Sequence, residues 1–116
     1  MARHNWVGAE AEQRVCDYLQ NKKYKILGQN WKTKFCEIDI IAKKNNCIYF
    51  VEVKYRVTDD QGGGLEVINN KKLFQMRRGA EAWVTQNNWP GEYTLSVAEV
   101  SGENFQINFI EDICSY

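Results

Sequence analysis

Two runs of alternating residues, 35–42 and 47–56, are separated by only the four residues Lys43-Lys44-Asn45-Asn46, and a β-hairpin is the arrangement that accommodates both. Side chains along a strand point to opposite faces in turn. In the first run the even positions Cys36, Ile38, Ile40 and Ala42 are all apolar, while the odd ones are Phe35, Glu37, Asp39 and Ile41. In the second run the odd positions Tyr49, Val51, Val53 and Tyr55 are apolar or aromatic. Its even positions begin with Ile48 and Phe50 and then turn to Glu52, Lys54 and Arg56. Each strand is therefore expected to bury one face and to carry its charges on the other.

With Asn45-Asn46 as the turn, paired positions sum to 91. That register sets Asp39 across from Glu52, Glu37 across from Lys54, Ile38 across from Val53 and Ile40 across from Val51. Facing residues have Cβ atoms about 5 Å apart, where like charges are unfavourable. Asp39 against Glu52 is strained unless a cation stands between them, and hard carboxylate oxygens suit Mg²⁺. A third carboxylate comes from residues 7–21, which read as a helix with Val7, Ala11, Val15, Tyr18 and Leu19 on its core stripe. Glu12 lies at the edge of that stripe, whereas Glu10 and Asp17 project to solvent. An acidic residue at such an edge usually has a partner, and the charged face of the hairpin is the obvious place for it.

The rest of the chain supplies a first strand over Tyr24–Asn30, then a loop marked by Gly62-Gly63-Gly64. A second helix follows from a cap at Asn69 or Asn70 to about Gln86, with Leu73, Met76, Ala80, Trp83 and Val84 inward. The only proline, Pro90, falls in the break after it. Strands over Tyr93–Val100 and Asn104–Ile110 complete the chain, turned by Ser101-Gly102-Glu103. The order is helix, three strands, helix, two strands: one mixed α/β domain over residues 1–116.

Charge and cysteine usage narrow the function. The formal net charge is zero, yet all 15 Lys and Arg fall at or before Arg78 with nine acidic residues, leaving +6 there and −6 in the remainder. A positive first part suits a polyanion such as nucleic acid, although lysines that merely solvate loops give the same tally. No run of about 18 apolar residues exists, so no membrane-spanning helix is expected, and Met1 to Trp6 lack the apolar stretch of a signal peptide. Cys16, Cys36, Cys47 and Cys114 form no CxxC pair, which argues for free thiols in a reducing cytoplasm rather than a disulfide framework or zinc site. His4 is the only histidine, set in what reads as a frayed terminus, so a histidine base has little place here.

Taken singly, each signal has an ordinary explanation. Glu-x-Lys is common, Glu37 opposite Lys54 would make a simple cross-strand ion pair, and Glu12 could snorkel. Their coincidence on convergent surfaces makes Glu12, Asp39, Glu52 and Lys54 the candidate site, with Glu37 supporting it through Lys54.

Several blocks in order, Gly8-x-x-Ala11-Glu12 with Tyr18-Leu19, Ile26-Leu27-x-x-Asn30-Trp31, Glu37-Ile38-Asp39-Ile40-Ile41-Ala42 and Phe50-Val51-Glu52-Val53-Lys54-Tyr55-Arg56, resemble the YraN-like family within the PD-(D/E)xK nuclease superfamily. Val67, Lys71 and Ala80 echo it more faintly. Two departures stand out: Cys36 replaces a usual glycine, and Ser96 stands near a usual aspartate. The resemblance implies a restriction-endonuclease-like fold, a central mixed sheet flanked by helices, related to archaeal Holliday-junction resolvases. By position it makes Asp39 and Glu52 ligands of Mg²⁺ or Mn²⁺, with a main-chain carbonyl near Val53, and Lys54 the residue that activates water. Glu12 becomes a further ligand, direct or through water. Arg56, Lys71, Lys72, Arg77 and Arg78 are candidates for phosphate contacts. The expected function is a metal-dependent endonuclease on double-stranded, branched or damaged DNA, with a homodimer suggested by analogy to two-site resolvases. The alternatives are a non-catalytic nucleic-acid-binding module on the same scaffold, or an interaction protein anchored by exposed Trp31 or Trp89.

Overall fold

The apolar periodicities resolve, in a computed structural model, into α1 (Ala2–Asn21), β1 (Lys25–Lys32), β2 (Glu37–Lys44), β3 (Cys47–Arg56), α2 (Asn70–Gln86), β4 (Glu92–Ser101) and β5 (Gln106–Ile110). Residues 2–34, 36–56 and 69–113 are described, the side chains of 2–7 aside. Phe35, Val7's place in the helix stripe, the Gly62–Gly64 loop, Val67 and Cys114 lie outside that set. α1 starts at Ala2, before the expected residue 7 and through His4, because no glycine or proline between Ala2 and Val7 stops a helix there. Asn69 caps α2: its side chain accepts from the Lys72 backbone N–H at 2.8 Å, a bond worth about 1 kcal/mol.

The sheet has the order β1-β2-β3-β4-β5. Among the described residues only β3 and β4 run parallel, and α2 lies between them in the chain. α1 covers one face, setting Ala11, Val15, Cys16 and Leu19 against Ile40, Ala42, Val51, Ala98 and Val100. α2 covers the other, setting Met76 and Ala80 against Ile38, Ile41, Ile48, Phe50, Leu95 and Val97. A sheet buried on both faces calls for near-continuous apolar strands, and β4 is buried from Leu95 to Val100.

The hairpin register is as expected from Lys44–Cys47 to Ile40–Val51, with Asn45 supplying a left-handed turn residue at φ 57°. There the ladder stops. Asp39 and Glu52 are not ladder partners, and neither are Ile38 and Val53 or Glu37 and Lys54. The Asp39 carboxylate instead takes the Val53 backbone N–H at 2.8 Å, filling the place of a strand bond. The expected single apolar face of β2 breaks at the same residue. Ile40 and Ala42 pack toward α1, whereas Ile38 and Cys36 pack toward α2. β1 is irregular alongside, with a register shift between Ile26 and Gly28 and Asn30 at φ 53°. Trp31 and Trp89 are half-buried against the α2-side core and do not serve as exposed anchors.

Candidate active site

Where β2 and β3 part, five elements bring polar side chains to one place. Asp39 comes from β2, Glu52 and Lys54 from β3, Glu12 from α1, Asn30 from β1 and Lys72 from α2. Glu52 is only 5% exposed. Its Oε2 lies 3.3 Å from Lys54 Nζ and its Oε1 3.5 Å from Lys72 Nζ, so two ammonium groups flank one buried carboxylate. A buried carboxylate survives only with such partners.

Among the described residues, no lysine or arginine pairs with Asp39 in that way. Its Oδ2 accepts from Val53. Burial, then the nearby charge of Glu52 and those of Glu12 and Glu37, push its carboxyl up to about 7, with the Val53 amide acting in the opposite sense. Glu12 is raised as well, first by burial and then by Glu37 and Glu52, while a hydrogen bond from Asn30 lowers it. With its amide nitrogen facing the two carboxylates, Asn30 donates to Glu12 Oε1 at 3.2 Å and to Glu37 Oε2 at 3.0 Å. This neutral bridge holds two acids from different elements side by side. Among the described residues, no three His, Cys, Asp or Glu side chains already stand as a cage for a metal ion.

The structure therefore joins Glu12, Asp39, Glu52 and Lys54, with Glu37 nearby, but it redistributes their partners. Glu37 bonds Asn30, and Lys54 pairs with Glu52, because the splayed strands end the expected cross-strand pairing. Of the five candidate phosphate contacts, Lys72 belongs to the site itself. Arg56 Nε is engaged by Glu99 Oε2 at 3.1 Å. Lys71, Arg77 and Arg78 are exposed on α2. For Asn30 the sequence offers only one signal, an asparagine ending an expected strand, a residue tolerant of left-handed backbone. Ser96 is fully buried and donates to the Glu111 carbonyl at 2.7 Å. Cys36 Sγ approaches the Gln75 carbonyl at 3.2 Å and so ties β2 to α2. No helix among the described residues is long and apolar enough to cross a membrane.

A five-stranded mixed sheet with a helix on each face, and polar groups gathered where two central strands part, define an α/β protein consistent with a restriction-endonuclease-like fold. The chain belongs to the YraN-like family described as uncharacterised protein family UPF0102, whose model matches residues 11–109. It is 35% identical over 108 residues to a UPF0102 protein of Cytophaga hutchinsonii, covering 93% of this chain and 96% of that relative. A UPF0102 protein of Vibrio parahaemolyticus is 33% identical over 111 residues, covering 94% and 92%. One of a Sulfurihydrogenibium species is 37% identical over 105 residues, covering 90% of each.

Proposed function

We propose that this protein is a metal-dependent DNA endonuclease of the PD-(D/E)xK type, hydrolysing phosphodiester bonds with Mg²⁺ or Mn²⁺. The observation that carries the reading is Asp39: a carboxylate set beside Glu52, Glu12 and Glu37 where the β2–β3 ladder ends, its carboxyl pushed up to about 7 by burial and then by those neighbouring charges. The donor set is all hard oxygen, which fits Mg²⁺ or Mn²⁺ rather than a thiophilic metal. Mg²⁺ needs only one or two protein carboxylates beside waters and substrate phosphate, so a ready-made three-ligand cage is not required. Asp39 and Glu52 would hold the ion, with Glu12 contributing directly or through water.

The bound ion would supply charge stabilisation at the phosphate and a more acidic water. The chain's own groups do the remainder. Glu52 holds the Lys54 ammonium at the site through the 3.3 Å pair, so Lys54 can orient the attacking water and donate to a phosphate oxygen. Lys72, on the other oxygen of Glu52, places a second positive charge where a polyanion would enter. The Val53 N–H fixes the Asp39 carboxylate before any ligand arrives. No histidine is needed for this chemistry.

The test is cleavage of supercoiled plasmid and of a four-way junction with Mg²⁺ or Mn²⁺, comparing wild type with Lys54→Ala and Asp39→Asn. Asparagine is preferred to alanine at 39, since alanine would strand the Val53 N–H at a cost of about 1–3 kcal/mol. The expected result is metal-dependent cutting by wild type and a loss of about a hundredfold or more in each variant. Cutting that survives both substitutions removes the assigned site. Salt-dependent DNA binding with no cutting by any form assigns the scaffold to binding alone.

A further inference from the structure

α2 turns Met76 and Ala80 into the core, yet Phe74 leaves 59% of its surface exposed, against 39% for Leu27 and for Tyr93, the other exposed large hydrophobics among the described residues. A single exposed phenylalanine is ordinary; its surroundings here are not. Lys71, Phe74, Gln75 and Arg78 recur at the three- and four-residue spacing of one helix face. With Lys34 from the β1–β2 connection they line a surface groove of about 330 Å³. The Arg78 guanidinium stands 5.7 Å from the centroid of the Phe74 ring. The groove adjoins the candidate site: Lys72, next to Lys71, reaches Glu52, and the Gln75 carbonyl meets Cys36 Sγ.

We propose that this groove binds an unpaired nucleotide, its base stacked on Phe74 and its flanking phosphates on Lys34, Lys71 and Arg78. The proposal rests on the nucleic-acid reading above and narrows it to DNA carrying a single-stranded or displaced segment beside the cut. The chemistry favours that occupant. An aromatic face set among cations is the combination that single strands use, because every base offers a π-face and every linkage a negative charge. The Gln75 side-chain amide adds a donor and an acceptor for a base edge. A paired duplex hides its base faces by stacking and offers α2 only phosphates and groove edges. Phe74 therefore contributes only where a base is out of the stack.

Fluorescence anisotropy of a labelled oligothymidylate and of a blunt duplex, on the full chain in EDTA, tests this without cleavage. Phe74→Ala is expected to weaken oligothymidylate binding about tenfold or more, leave duplex binding within about twofold, and be rescued by Phe74→Trp. Lys71→Ala is expected to weaken both ligands and to reduce the salt dependence. Oligothymidylate binding by Phe74→Ala equal to wild type overturns the proposal. So does tight binding of a Glu-rich, aromatic peptide by a wild type that ignores the oligonucleotide. Because no metal is present, a protein that never cuts DNA still gives a clear result, so failure of the endonuclease reading and failure of the groove are separate outcomes.

Discussion

β3 runs between two acid-rich regions that look alike in composition and differ in physics. At its start, Cys47, Tyr49, Glu92, Tyr93, Thr94, Glu111 and Asp112 line a cavity of about 340 Å³. The carboxylates there are exposed and take neutral donors: Asp112 accepts from the Thr94 hydroxyl at 2.8 Å and Glu111 from the Tyr24 hydroxyl at 3.2 Å. Past its middle, Glu12, Glu37, Asp39 and Glu52 are buried or half-buried and need two lysines, one asparagine and one backbone amide. The first region lies against continuous ladders, where β3 pairs with β2 from Cys47 and with β4 from Glu92. The second lies where the β2–β3 ladder has ended at Ile40–Val51. Carboxylate number is thus a poor mark of a site. Carboxylates held out of water where a ladder gives way are a better one.

The strongest way to break this contrast is metal binding. Mg²⁺ or Mn²⁺ at about a hundred times its dissociation constant stabilises a folded protein by about 2.7 kcal/mol, or roughly 10 °C in Tm at this size. Wild type is expected to show that rise by calorimetry, and an Asp39→Asn, Glu52→Gln double variant to lose it. A Glu92→Gln, Glu111→Gln, Asp112→Asn triple variant is expected to keep it. The reverse pattern would move the metal to the opposite end of the sheet.

A smaller effect sharpens the same contrast without metal. The Asp39 carboxyl is raised from 3.8 to about 7, so the folded state binds its proton more tightly than the unfolded chain does. The stability this proton confers is fully present below about pH 4 and is lost as pH rises toward 7. Because solvent still reaches this partly buried group, on the order of 2 kcal/mol of that loss remains. Asp39→Asn mimics the protonated form and keeps an acceptor for Val53. In urea titrations with EDTA it should match wild type near pH 3.5 and exceed it by that amount at pH 8. A constant offset between wild type and Asp39→Asn at every pH would mean that neither burial nor the neighbouring charges raise the Asp39 carboxyl.

Much of this was legible in the residues. Alternation in 47–56 marked β3 at both ends, a cap at Asn69 or Asn70 announced α2, and the turn at Asn45-Asn46 gave the register that holds from residue 40 to residue 51. Glu12, Asp39, Glu52 and Lys54 were legible because each breaks or borders an apolar pattern. What could not be read was the end of the ladder at Asp39. Strict alternation assumes that a strand continues, and nothing in Glu37-Ile38-Asp39-Ile40 says that a side chain will replace a backbone bond. The pairings of Glu37 with Asn30, Lys54 with Glu52 and Arg56 with Glu99 follow from that splay and from β4 lying beside β3. They depend on distant elements rather than on local spacing.

The smallest effect is expected at Gly79, set against Gly91 to compare how the two regions pack. A Cβ at Gly79 of α2 would meet Cys36 Sγ at 3.0 Å and Ile38 Cδ1 at 3.1 Å, both ends of side chains. A Cβ at Gly91 would meet the Asn46 carbonyl oxygen at 2.9 Å and the Trp89 ring at 2.6 Å, and Trp89 is pinned by its bond to the Glu92 carbonyl. Alanine at 91 therefore collides with backbone and should cost about 1–3 kcal/mol. Alanine at 79 gains about 1 kcal/mol of helix propensity and gives up a similar amount to crowding, so its net effect should lie within about 1 kcal/mol of zero. The contact is identified by adding Cys36→Ala, which removes the nearest atom. In that background Gly79→Ala should turn stabilising, as read by the urea midpoint. A net cost that persists there would assign the crowding to Ile38 and would mean that the site end of the molecule, held by α2 through Lys72, is packed as rigidly as the other.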